Sequence, residues 1–221
     1  MKFSKLLQIW LIIAGIVIPV TGNAQPDTSN VHSQYHFKDF SKGIVQFRNG
    51  TVTSAIMNYN TLTGRMVFEK SGKLLDLTNT ETIDTVFLQN TRFIPHEDIF
   101  LEVVAESSIP LYFQYKSELM SPGKAAGYGG TSQTTSSTSY STVFTDSKTY
   151  NINLPEGYRV DKSTVNWVLV YGKMQKFLNE KQFIKILKNK ETVLKRYLRE
   201  NRINFKNRSD LLKLLYFCNG I

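Results

Sequence analysis

Three histidines, a single cysteine and the Gly123-Lys124 pair are the residues whose types and settings could carry chemistry in this sequence. His32 and His36 stand four apart, which on a helix would turn two imidazoles to one face as a metal pair requires. The stretch around them lacks a helical apolar period and offers no carboxylate at matching spacing, so no metal site is assigned. His96-Glu97-Asp98 follows Pro95 and reads as a turn between strands. Cys218 continues the helical spacing of Leu211, Leu214 and Leu215, which makes it a small buried core residue with a raised pKa; an intermolecular disulfide is the alternative. Gly123-Lys124 lacks the Ser or Thr and the strand-to-helix setting of a phosphate loop. No Gly-x-Ser-x-Gly occurs to anchor a serine hydrolase. The residues therefore assign no catalytic group, no cofactor and no metal.

Binding chemistry has more support. Residues 117–149 form a long Gly/Ser/Thr segment, with Ser121-Pro122-Gly123, Gly127-Tyr128-Gly129-Gly130 and then 13 Ser or Thr among the 19 residues from Thr131 to Thr149. Lys124, Tyr128 and Tyr140 on that background resemble the adaptable contacts of binding loops, with plain disorder as the other reading. The charge is uneven. Residues 173–221 hold 13 Lys or Arg against 4 Asp or Glu, whereas residues 25–172 hold 12 against 14. Lys195, Arg196 and Arg199, with Lys185, Lys188 and Arg202 around them, form a basic surface suited to anionic envelope components such as glycolipid or lipid phosphates, or to another envelope protein. A solvated face that merely keeps the chain in solution is the bland alternative. Nucleic acid fits less well, because the aromatic residues of this region fall at core spacing and leave no stacking platform.

These side chains must be positioned by elements legible in the pattern. Ile44 to Arg48, Asn49-Gly50 and Thr51 to Tyr59 predict a hairpin with a two-residue turn, placing Ala55, Met57 and Tyr59 on one face. Short segments follow at Arg65 to Lys70, Lys73 to Leu77, Ile83 to Leu88, Arg92 to Ile94, Ile99 to Glu106 and Ile109 to Lys116. Within Ile99 to Glu106, Ile99, Leu101, Val103 and Ala105 oppose Glu102 and Glu106, as in a half-buried strand. Strands resume at Thr149 to Leu154 and at Thr164 to Tyr171, where Trp167 is expected to fill a core, and Met174 to Phe177 closes a further hairpin.

After Phe177 the period becomes helical. Asn179 caps a first helix, with Gln182 at the reciprocal position; a second is expected from about Lys190 to Asn201 and a third from about Ser209 to Phe217. The expected class is α+β: an antiparallel β-meander, either a sandwich or a small open barrel, followed by short C-terminal helices. The β-rich part is expected over 43–178, and a basic helical region over 179–221 docks on it, because helices this short need tertiary burial.

Two lysines, an apolar run from Leu6 to Val20 and Thr21-Gly22-Asn23-Ala24 describe a secretory signal peptide over 1–24, cut between Ala24 and Gln25. Residues 25–42 then read as a polar leader with weak structure. Past residue 24 no apolar run approaches the roughly 20 residues of a transmembrane helix. With 41% apolar and 20% charged residues, the 221-residue chain is neither an acidic disordered tail nor a disulfide-dense mini-domain.

Gly43-Ile44-Val45 with Phe47 and Asn49-Gly50, Met57-Asn58-Tyr59-Asn60, Met66-Val67-Phe68, Thr82 to Phe93, Phe100-Leu101-Glu102-Val103, the loop from Gly123-Lys124 to Gly129, Lys176-Phe177 through Phe183, Asn201 to Phe205 and Asp210-Leu211-Leu212 carry a resemblance. Over most of residues 43–219 the chain resembles a group of secreted proteins from Bacteroidetes-type bacteria that carries no assigned activity. The resemblance implies a compartment: the periplasm, the outer-membrane periphery or the exterior of a Gram-negative cell. Asp84-Thr85-Val86 also resembles an O-glycosylation signal of such bacteria, although it lies in an expected strand. The expected function is a secreted, non-enzymatic binding or interaction module of the envelope. A hydrolase of envelope or extracellular polymers with an unassigned carboxylate site, and a structural envelope component anchored by its basic helices, are the alternatives.

Overall fold

A computed structural model describes residues 34–120, 124–126, 130–132 and 159–220. The expected signal peptide, the cleavage pair Ala24 and Gln25, His32, Tyr128, Tyr140 and the expected strand from Thr149 to Leu154 lie outside the described residues. The chain divides into a unit of Met1–Val31, none of it described, and one of His32–Ile221.

The described residues form twelve strands followed by three helices. The strands are β1 (Ser41–Phe47), β2 (Val52–Asn60), β3 (Arg65–Lys70), β4 (Lys73–Asp76), β5 (Ile83–Leu88), β6 (Thr91–His96), β7 (Ile99–Ala105), β8 (Leu111–Met120), β9 (Lys124–Ala126), β10 (Gly130–Ser132), β11 (Arg159–Val170) and β12 (Lys173–Phe177). The helices are α1 (Glu180–Ile186), α2 (Glu191–Asn201) and α3 (Arg208–Asn219). Strands precede helices and every ladder is antiparallel, so the class is α+β as the sequence pattern implies.

Ten strands make one sheet in the order β12-β11-β8-β7-β6-β5-β1-β2-β3-β4, while β9 and β10 pair only with each other. Two meanders are thus joined edge to edge where β1 meets β5. The Asn49-Gly50 hairpin differs in detail from the expected two-residue turn. Gly50 N–H donates to Phe47 O at 2.9 Å and Phe47 N–H to Thr51 O at 2.8 Å, which leaves three loop residues. Only Gly50 takes a positive φ there, +85°, the left-handed residue that follows a type I turn in this loop length.

The sheet curls on itself without closing. Phe100 N–H donates to Gly64 O and Ser117 N–H to Thr61 O, so the end of the first meander meets β7 and β8 of the second. The part of the polar leader that is described is held in this seam. His36 N–H donates to Tyr59 O, Thr61 N–H to Gln34 O, and Tyr35 bridges to Asn60, which continues the line of β1 alongside β2. Where the chain departs from that line, the Asn58 side chain accepts from Phe37 N–H and donates to Phe37 O and Asp39 O.

Two apolar cores lie along one face of the sheet. The first, within the curl, comprises Val45, Met57, Tyr59, Met66, Ile83, Val86, Leu88, Phe93 and Phe100. The second lies between β8, β11, β12 and the helices, and includes Leu111, Phe113, Val168, Phe177, Phe183, Leu194, Leu198 and Leu214. Trp167 stands outside both, half-buried on the other face, where its indole N–H donates to Gln114 Oε1 and its ring meets His96 edge-on. The reason is register: Val168 takes the core side, so its neighbour must face away. Thr85, in the glycosylation-like triplet, is buried in β5 with its hydroxyl on Asp84 Oδ2.

The helices start where their caps dictate. Asn179 Oδ1 accepts from Gln182 N–H, and Gln182 Oε1 in return accepts from Leu178 N–H. Asn207 caps α3 by accepting from Asp210 N–H, so the helix opens at Arg208. A left-handed Arg202 at φ +47° ends α2. Cys218 is buried in the second core, and burial pushes its thiol up to about 12. Among the described residues no helix is long and apolar enough to cross a membrane.

Candidate functional site

Polar chemistry concentrates at the border between the two cores. Glu102 of β7 is paired across the sheet with Phe93 on one side and Phe113 on the other, one aromatic from each core. Its side chain is 6% exposed. The alternation Phe100, Glu102, Val104 gives the reason: all three share the concave face, so the carboxylate is carried inward with its apolar neighbours. Glu102 is thus not on a solvent face, as simple alternation against Leu101 implies.

Burial of a carboxylate requires that its charge be met. The Tyr115 hydroxyl donates to Glu102 Oε2, and Arg208 Nη1 donates to Glu102 Oε1 at 2.6 Å. Arg208 opens α3, lies over the Phe113 ring at 5.6 Å and is half exposed. Desolvation first, then the hydrogen bond and charge of Glu102, hold the Tyr115 proton well above the usual phenol range. The ring of His36 stacks on Tyr115, 3.7 Å between centroids at 24°, and stands edge-on to Tyr59. Burial lowers the His36 pKa, the nearby Glu102 charge opposes this, and Lys162 adds to the lowering. Tyr59, fully buried, donates from its hydroxyl to Phe100 O and Tyr115 O at 3.1 and 3.2 Å.

Each oxygen of Glu102 accepts one hydrogen bond, Oε2 from Tyr115 and Oε1 from Arg208. Among the described residues no three His, Cys, Asp or Glu side chains converge as a metal would need.

The open surface is elsewhere. On α2 the buried Leu194 and Leu198 define the inner side, and Lys195, Arg196 and Arg199 all lie exposed on the arc that runs from its flank to the side opposite. Lys195 is tied to Glu191 one turn back at 2.6 Å, and that contact holds the Glu191 carboxyl below its usual range. No carboxylate pairs with Arg196 or Arg199 among the described residues. Lys124 is the first residue of β9.

Sequence reasoning singled out the three basic residues that the helix gathers on one face, but not Glu102, Tyr115, Tyr59 or Arg208. The available signal was the apolar character of Phe100 and Val104, which share the Glu102 side of the strand. Compared with protein-family models, with curated proteins and with solved structures, the chain matches none.

Proposed function

We propose that the protein is an exported, non-enzymatic binding module of a bacterial envelope, which holds an anionic envelope component against the solvent side of α2. The observation that carries this reading is the placement of Lys195, Arg196 and Arg199 on one exposed helix face, two of them without a carboxylate partner among the described residues. The +9 balance of residues 173–221 draws phosphates to this part of the chain. Export rests on the tripartite N-terminal pattern and on the resemblance to secreted proteins of Bacteroidetes-type bacteria.

The test is co-sedimentation with outer-membrane vesicles of protein recovered after export, whose N-terminus should read Gln25. Wild type should pellet at low salt and bind less at high salt, because exposed charge pairs are screened. The triple variant Lys195→Glu, Arg196→Glu, Arg199→Glu should stay in the supernatant with an unchanged circular dichroism spectrum. Wild type that fails to pellet at low salt overturns the reading, and conversion of an envelope polymer by the purified protein would replace it with the hydrolase alternative.

A further inference from the structure

A helix packed on a sheet normally buries one side and shows charge on the other. The second helix of the basic region obeys this rule; α3 does not. It buries Leu211, Leu214, Leu215 and Cys218. On its solvent side stand Leu212, 36% exposed, and Tyr216, 84% exposed, one turn apart and so side by side. Lys213 and Ser209, both exposed, border the pair. An aromatic residue this exposed next to an exposed leucine is surplus to the core, because the second core is already filled from the other side of the helix.

The two helices are neighbours. Tyr197 of α2 stacks on Phe217 of α3, with centroids 3.8 Å apart at 8°, and its hydroxyl donates to Lys213 O at 3.5 Å. Both put apolar side chains into the same core, so the basic residues of α2 and Leu212 and Tyr216 of α3 are each exposed on the part of their own helix that is turned from that core. Exposed cations on one helix and an exposed apolar and aromatic pair on its neighbour match a bilayer, where phosphates lie directly above hydrocarbon and tyrosines settle at the headgroup level. A soluble polyanion would answer the charge and leave the apolar pair in water.

Resting on the reading of α2 as an anion-binding face, we infer that Leu212 and Tyr216 insert into the headgroup boundary of an anionic bilayer whose phosphates meet Lys195, Arg196 and Arg199. The geometry gives two separable contributions: a salt-sensitive one from α2 and a salt-resistant one from α3. Removing either apolar side chain should weaken vesicle partitioning by about five- to twenty-fold, the range for partial burial of such a group.

The experiment uses the exported protein and vesicles of phosphatidylcholine with or without phosphatidylglycerol. Wild type should pellet with the anionic vesicles and keep part of its binding at high salt. Leu212→Ser with Tyr216→Ser should bind more weakly and be fully released by salt. On binding vesicles, a Tyr216→Trp variant should show an emission blue-shifted relative to wild type and quenched by brominated lipid. If the double serine variant binds like wild type and the emission of the Tyr216→Trp variant does not shift, insertion is overturned while the α2 reading stands. Pelleting with outer-membrane vesicles but not with phosphatidylglycerol vesicles has the same consequence. Absence of binding to either kind of vesicle overturns both. The substituted positions are exposed, so circular dichroism should confirm an unchanged fold in every variant.

Discussion

The guanidinium of Arg208 lies 2.6 Å from the carboxylate of Glu102, a contact between residues 106 positions apart in the chain. It joins the first turn of α3 to β7 at the border of the two cores. With Asn219 Oδ1 accepting from Ile109 N–H at the other end, α3 is fastened to the sheet at both termini. Asn166, buried on β11, donates to Phe205 O and fastens the connection that precedes α3.

Arg208→Ala should destabilise the protein more than Glu102→Gln. The first leaves a 6% exposed carboxylate with only Tyr115 to meet it, while the second leaves an arginine that is 48% exposed and can turn to water. A fully buried broken pair costs about 3–5 kcal/mol; solvent access to Arg208 reduces this to about 1–3 kcal/mol. Urea unfolding at neutral pH measures both variants, and equal midpoints for the two would show that the contact with Arg208 is not what offsets the burial of Glu102.

Gly64→Ala tests the curl. Gly64 sits at φ +73°, and a Cβ there would meet Ile99 Cγ2 at 2.9 Å while its carbonyl accepts from Phe100 N–H at 2.8 Å. Gly50 has φ +85° with nothing within 4 Å, so Gly50→Ala carries the backbone strain alone, about 1 kcal/mol. Gly64→Ala should cost more, about 2–3 kcal/mol, because crowding at the seam is added to that strain. Matching thermal midpoints for the two variants would mean that the contact between Gly64 and β7 does not hold the curl.

The elements were legible because their signals are local: period-two alternation between turn residues, then capped period-3.6 segments. Ten of the strands join as one meandering sheet, and the three basic residues on α2 share a face because Arg199 stands four residues from Lys195 and three from Arg196. The buried cluster was hidden for a different reason. Glu102 alternates like a solvent-facing residue, and only the curl of the sheet and the return of Arg208 from α3 turn its side inward. Trp167 shows the same limit, since its size suggested a core while its register beside Val168 placed it on the other face. Leader residues 34–40 looked structureless because their order comes from Asn58, Tyr59 and Thr61, far along the chain on β2 and just past its end.

Alkaline pH should unfasten the tyrosine pair. Desolvation raises both Tyr59 and Tyr115 above the ordinary phenol value of 10.0. A raised folded value means the folded state keeps the proton longer, so the stabilisation is complete below pH 10.0 and is lost as pH rises from there toward the folded values. Tyr59→Phe, which deletes the donor to Phe100 O and Tyr115 O, should cost about 1–2 kcal/mol at neutral pH. It should also show a shallower loss above pH 10.0 than wild type. Parallel pH profiles for the two proteins would exclude Tyr59 from the alkaline transition.

Acid should act through His36, and in the opposite sense. Its folded pKa lies below 6.5, chiefly because burial between Tyr115, Tyr59 and Phe37 disfavours the cation; Lys162 adds to this and the charge of Glu102 opposes it. A depressed folded value means that the unfolded chain takes up the proton first. The contribution is therefore present above pH 6.5 and lost as pH falls through the folded value. His36→Phe keeps a ring to stack on Tyr115 and removes the titration. Its stability should change less than that of wild type as pH falls from about 7.5 to about 5, a window that brackets the imidazole range. Urea midpoints across that range give the comparison, and a constant gap between the two proteins would place the acid sensitivity on other groups, leaving the stacked His36 as packing alone.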